Sequence, residues 1–201
     1  RVHFDGTVGS VFMPLAEMQR RFNDCSYDEK VILRALKALD FCGIYRGERL
    51  FPLEWLNRAA SYEEGKKFEW DGLLDDLADK EFIVLEQDGV RAEEAYLENV
   101  ITWRVEMPSL QLFDRMLAVF SGEPEPLVRL GNKADDVSET DLDKANYEKL
   151  AISAYQAALK VYTPERFPMD YAMTQNNLGN AYATLAEVED KAANCYKAIA
   201  A

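Results

Sequence analysis

The apolar residues of this chain fall mainly at helical spacing. Pro14 suits the first turn of a short helix running to about Phe22, because its missing N–H costs nothing there. Ser26-Tyr27-Asp28-Glu29 has the form of a capping box, in which the Ser26 hydroxyl accepts from the Glu29 amide and Glu29 reaches back to the Ser26 amide. The helix that starts here buries Val31, Ile32, Ala35, Leu36 and Leu39, and Gly43 supplies a left-handed stop. A second helix begins at Pro52 or just after it, within Phe51 to Ala60. A third runs from about Glu69 to Lys80 and buries Trp70, Leu73, Leu74 and Leu77. The period then changes: FIVLEQ and VRA read as two short strands, and Asp88-Gly89 between them accepts the positive φ angles of a two-residue hairpin turn. Helical spacing resumes from Ala92 to Trp103, and again from Pro108 with Leu110, Leu112, Phe113, Met116, Leu117 and Phe120. Ser121-Gly122, with Pro124 and Pro126, reads as a hinge, which predicts a first domain over 1–121 and a second over 125–201.

Downstream of the hinge the pattern repeats. Leu130-Gly131 in RLGNKAD is matched by Leu178-Gly179 in QNNLGNAYATL, and Asp-Lys-Ala heads both DKANYEKLAISAY and DKAANCYKAIAA, which begin 47 residues apart at Asp143 and Asp190. Small residues at matching places predict stacked helical hairpins, each hiding an apolar face against its neighbour. The first hairpin has Leu127, Leu130, Gly131 and Ala134 in helix A, and Leu150, Ala151, Ala154, Tyr155, Ala158 and Leu159 in a helix B ending near Tyr162. Pro164 and Pro168 close it, and the second helix A runs long from about Met169.

This arrangement resembles the tetratricopeptide repeat. Leu130, Gly131, Ala134, Ala151, Tyr155 and Ala158 match its signature in the first copy, and Leu178, Gly179, Tyr182 and Ala198 in the second. Gln175 stands where the family often has Trp, Ala134 replaces the usual Tyr, and the gap from Leu-Gly to helix B exceeds that of the common repeat by about seven or eight residues. The resemblance implies an α-α superhelix whose helix A segments line a concave groove for a protein or peptide partner. Asn132, Lys133, Asn176, Asn177 and Asn180 are the candidate contacts there, since an amide both donates and accepts and can pair with peptide backbone. Arg129 and Lys133 are the candidate clamps for an acidic terminus. The upstream order of three helices and a hairpin, with FDGTVGS, PLAEMQRRF and LLDDLADKEFIVLEQDGVRAEEAYLENVI, looks like the winged-helix segment following the ATPase core in signalling ATPases of the STAND and AAA type. The expected fold is therefore mostly α: a winged-helix-like α+β domain, then tetratricopeptide repeats, cut from a larger signalling protein. An open second repeat, lacking the polar cap of natural arrays, would also offer a face for self-association.

Charge narrows the reading. The formal charge of −13 is spread over both parts, with 14 basic against 22 acidic residues up to Met107 and 9 against 14 thereafter. In the expected third helix Glu69, Asp71, Asp75, Asp76, Asp79 and Glu81 face a single cation, Lys80, so it would repel the phosphates a recognition helix must approach. A DNA-binding transcriptional regulator is the alternative function; it would depend on Arg46 and Arg49 with Lys66 and Lys67.

Catalytic chemistry finds few parts. His3 is the only histidine, which removes the usual components of histidine metal sites and histidine-assisted nucleophiles. GTVGS, Gly6 to Ser10, lacks the Gly-Lys-Ser/Thr ending of a phosphate loop, and neither Walker motif is visible. Cys25, Cys42 and Cys195 share no metal or disulfide spacing and read as buried reduced thiols. Asp75-Asp76 and Asp135-Asp136 read as solvated helix faces, which leaves a carboxylate hydrolase as a third, weaker reading. With no apolar run of membrane-spanning length and no basic-then-apolar leader, the expectation is a cytoplasmic, non-catalytic interaction module with no cofactor, no metal and no membrane contact.

Overall fold

The computed structural model describes residues 13–65, 67, 69–70, 72–102, 109–138 and 143–201. The GTVGS loop, Lys66, Asp71 and Pro108 lie outside the described residues. Among the described residues the chain is mostly helical with one small antiparallel sheet, and it divides into two compact units: Arg1–Phe41 with Tyr45–Glu106, and Cys42–Ile44 with Met107–Ala201.

The first unit opens with α1 (Leu15–Asp24), which buries Met18 and Phe22 behind Pro14. The capping box then forms as the residue types require: the Ser26 N–H donates to Glu29 Oε2 (2.6 Å) and the Glu29 N–H to Ser26 Oγ (3.2 Å). From it α2 (Tyr27–Phe41) runs through the middle of the unit, with Val31, Ile32, Leu33, Ala35, Leu36 and Leu39 each no more than 1% exposed. Next come β1 (Leu50–Pro52), α3 (Leu53–Glu64), α4 (Leu73–Asp79), β2 (Ile83–Glu86), β3 (Gly89–Ala92) and α5 (Glu94–Asn99). The sheet order is β1-β3-β2, with Phe51 opposite Val90 and Leu85 opposite Val90 in the two antiparallel pairings.

Three expectations change here. The third helix starts at Leu73 rather than near Glu69, because Gly72 is left-handed (φ 74°) and a helix cannot run through it; only Leu77 is buried, while Trp70, Leu73 and Leu74 are half-buried. The hairpin turn is Gln87-Asp88, since Glu86 pairs with Gly89. Gly89 is needed for a different reason: a Cβ there would overlap the Phe51 carbonyl oxygen of β1. Strand β1 itself was not read from the sequence; with three residues ending at Pro52 it is too short to show a period.

The second unit contains α6 (Ser109–Val119), α7 (Pro124–Ser138), α8 (Lys144–Ala158), α9 (Pro168–Val188) and α10 (Lys191–Ala200). Helix α6, upstream of the expected boundary, packs on α7 and α8; Leu112, Phe113, Met116 and Val119 are buried, and Phe113 meets Tyr147 edge to face at 5.6 Å. Helices α7 and α8 form one antiparallel hairpin and α9 and α10 another, with α9 lying mainly on α8. The repeated Asp-Lys-Ala opens both second helices: the Tyr147 N–H donates to the Asp143 carbonyl (3.3 Å) and the Asn194 N–H to the Asp190 carbonyl (3.0 Å).

Candidate protein-interaction surface

The first hairpin is closed by a glycine. A Cβ on Gly131 would lie 2.5 Å from Tyr155 Cε1, so α7 and α8 approach closely enough for the tyrosine ring to cover the α7 backbone. Leu130, Ala134, Ala151, Ala154 and Ala158 around this contact are fully buried. In the second hairpin Gly179 faces the Ala198 carbonyl of α10, with Leu178 and Ala181 buried beside it.

The five candidate contacts do not form one strip. Asn132 Oδ1 accepts from Tyr155 Oη (2.9 Å) and from Asn177 Nδ2 (3.0 Å), so Asn132 and Asn177 join α7, α8 and α9 rather than waiting for a ligand. Asn176 and Asn180, one helical turn apart, line a separate groove of about 630 Å³ with Gln175, Gly179, Ala198 and Ile199, on the α9–α10 side. Lys133 packs its stem on Gly43, which belongs to the same unit. Arg129 holds Glu125 (3.2 Å) within α7. Tyr182 turns to α8, where its hydroxyl accepts from Gln156 Nε2 (2.8 Å), and Lys197 of α10 sits over its ring at 5.3 Å.

Sequence reasoning missed Glu148. It lies on α8 with no exposed surface; Ser138 Oγ donates to its Oε1 (2.5 Å), while Oε2 meets no donor. Burial pushes its carboxyl up to about 7, and the neighbouring Asp135 carboxylate, a partner only for a protonated acid, acts in the same direction against Ser138 and Lys144. The signal was available: Glu148 stands three and seven residues before Ala151 and Tyr155, on the buried stripe of its helix. Asp135 is thus no solvated partner of Asp136; it is half-buried beside Glu148. Since Glu148 and Ser138 are both closed to solvent, this cluster has no access for a substrate.

In the first unit several cations are held by carboxylates, while Arg34 and Lys37 donate to the Thr102 and Ile101 carbonyls. Arg20 lies on Glu17 and Asp24, Arg21 on Glu81, Arg91 on Glu86, and Arg49 bridges Asp40 and Glu94. Arg46 stacks over the Trp55 ring at 4.8 Å. Lys80 is bound to the buried Glu29 (2.5 Å), leaving Asp75, Asp76 and Asp79 exposed along α4. Of the thiols, Cys25 and Cys42 are buried as expected and burial drives both upward, Cys25 to about 11; Cys195 on α10 is exposed, contrary to expectation, because α10 buries only Asn194. Among the described residues no group of three or more His, Cys, Asp or Glu could hold a metal, and no helix is long and apolar enough to cross a membrane.

Comparison of the chain with protein-family models, with curated proteins and with solved structures finds no match. The functional reading therefore rests on the architecture and the surfaces described above.

Proposed function

We propose that this chain is a non-catalytic interaction and regulatory module: a winged-helix-like unit joined to two tetratricopeptide-type hairpins, of the kind that recruits a protein partner in larger signalling ATPases. The observation that carries the reading is the duplicated hairpin, with Gly131 against Tyr155 in one copy, Gly179 against Ala198 in the other, and Asp-Lys-Ala opening each second helix. Stacked hairpins of this form present helix surfaces to partners with no need for reactive groups. For the first unit, support comes from the succession helix, strand, helix, helix, strand, strand and the β1-β3-β2 order, which is the arrangement of a winged helix. The carboxylate partners of Arg21, Arg49, Lys80 and Arg91, with the acidic α4, favour a protein-packing role over a phosphate-binding one.

The test is partner capture from the source cell by the tagged chain, with cross-linking and mass spectrometry to place the contact. Cross-links falling on α7, α9 or α10, and capture lost in Asn176→Ala/Asn180→Ala while Arg46→Ala/Arg49→Ala retains it, support the module. Recovery of nucleic acid alone, lost with the arginine variant, would overturn it in favour of a DNA-binding regulator.

A further inference from the structure

The way α9 sits on the first hairpin is specified by a few groups. Asn177 Nδ2 donates to Asn132 Oδ1 (3.0 Å), Lys144 Nζ holds Glu187 (3.2 Å), and Ile152, only 7% exposed, shares a groove with Tyr182 and Leu185. The α9 side of this contact is an apolar stripe, Leu178, Ala181 and Leu185, flanked by the amide of Asn177 and, ten residues on, the carboxylate of Glu187. Ten residues of helix span about 15 Å, so amide and carboxylate grip the two ends of one docked segment.

The internal repeat copies part of the receiving surface onto the second hairpin; Lys149, which holds Glu189 (2.5 Å) in the first, is replaced there by Tyr196. The offset of 48 between Gly131 and Gly179 carries Asn132 onto Asn180, and that of 47 between Asp143 and Asp190 carries Lys144 onto Lys191 and Ile152 onto Ile199. The chemistry of these three receiving positions is retained, yet among the described residues nothing covers them. Ile199 is 83% exposed where Ile152 is buried, and Tyr196, in the place of Lys149, is 77% exposed. Asn180 and Lys191 are exposed, and among the described residues neither has a hydrogen-bond or ion-pair partner.

We infer that the outer face of α9 and α10 receives one amphipathic helix of the α9 kind, with Asn180 taking its amide, Lys191 its carboxylate, and Ile199 and Tyr196 its apolar stripe. The inference deepens the proposed interaction role and rests on it. A separate helix is the occupant, rather than a second copy of the chain, because each copy's own α9 is already held by Asn132 and Lys144, and α6 covers the first hairpin with Phe113 on Tyr147.

The probe is a fluorescein-labelled, end-blocked peptide of the α9 sequence, residues 168–188, titrated with the full chain and read by anisotropy. Saturable binding is expected, weakened about tenfold or more by Ile199→Asp. Lys191→Glu should weaken it about threefold, and a Glu187→Lys peptide should regain the loss on that variant, as an exposed ion pair allows. Ile199 is mostly solvated, so circular dichroism should show the Ile199→Asp chain folded like the parent. No saturable binding, or binding indifferent to both substitutions, overturns the inference. So does sedimentation showing a dimer of the parent chain that Ile199→Asp dissolves and the peptide does not, which would make a second copy the occupant. Capture of a partner by cross-links confined to α7, with the peptide ignored, would sink this docking site and leave the proposed function standing.

Discussion

Gly131 and Gly179 occupy matching positions, and their neighbours give them opposite tolerances. Gly131→Ala must displace the Tyr155 ring, which also holds Asn132, and should cost about 1–3 kcal/mol in urea denaturation. At Gly179 the nearest atom is the Ala198 carbonyl oxygen, 3.3 Å from the new Cβ, and the better helix propensity of alanine offsets the contact, so Gly179→Ala should be nearly neutral in the same assay. Glu148 gives a second test. Its carboxyl titrates near 7 in the fold against 4.5 when unperturbed, so between those values the folded chain keeps a proton that the unfolded chain has released. Its stabilisation is complete below about pH 4.5 and is lost as pH rises through about 7. Glu148→Gln, with Asp135 and Lys144 unchanged, should flatten stability against pH over that range and raise it by about 1–3 kcal/mol at pH 8, measured by denaturant titration at several pH values. Single residues were partly legible in sequence. The repeat signature located Gly131 and Tyr155, whereas the role of Asn132 depends on three helices meeting at one oxygen, which no spacing along one helix records.

Among the elements, those with strong local chemistry were legible. The capping box named both partners that start α2, and Ser26→Ala should cost about 1 kcal/mol of stability by thermal or urea melting. The sequence could not show that Glu29 has a second partner, Lys80. Burial alone would raise its carboxyl, but hydrogen bonds from Lys80 and Ser26 outweigh that and lower it. Lys80→Met leaves Glu29, 2% exposed, with one donor fewer; a loss of about 1–3 kcal/mol is expected at pH 7, shrinking as pH falls and the carboxyl takes a proton. Elements set by distant contacts were misjudged. Strand β1 exists because β3 pairs with it, and the hairpin glycine answers to Phe51 rather than to its turn; α4, by contrast, is cut short locally by the backbone of Gly72.

At the scale of the molecule, the chain divides into two compact units, and α6 belongs to the second because its apolar face meets α7 and α8. Arg20, Arg21, Arg49 and Arg91 of the first unit are held by Asp and Glu, and its α4 presents carboxylates. Labelled duplex DNA should therefore show no salt-dependent anisotropy change with this chain at about 50 mM salt, where phosphate-binding domains bind most tightly.

The uneven burial of the three thiols has a practical side. Cys25 and Cys42 are shut away and resist ionisation, whereas Cys195 stands in solvent on α10, one turn before Ile199. A maleimide dye added to the native chain would attach at a single place, so the protein comes with its own optical reporter for whatever settles against its last helix.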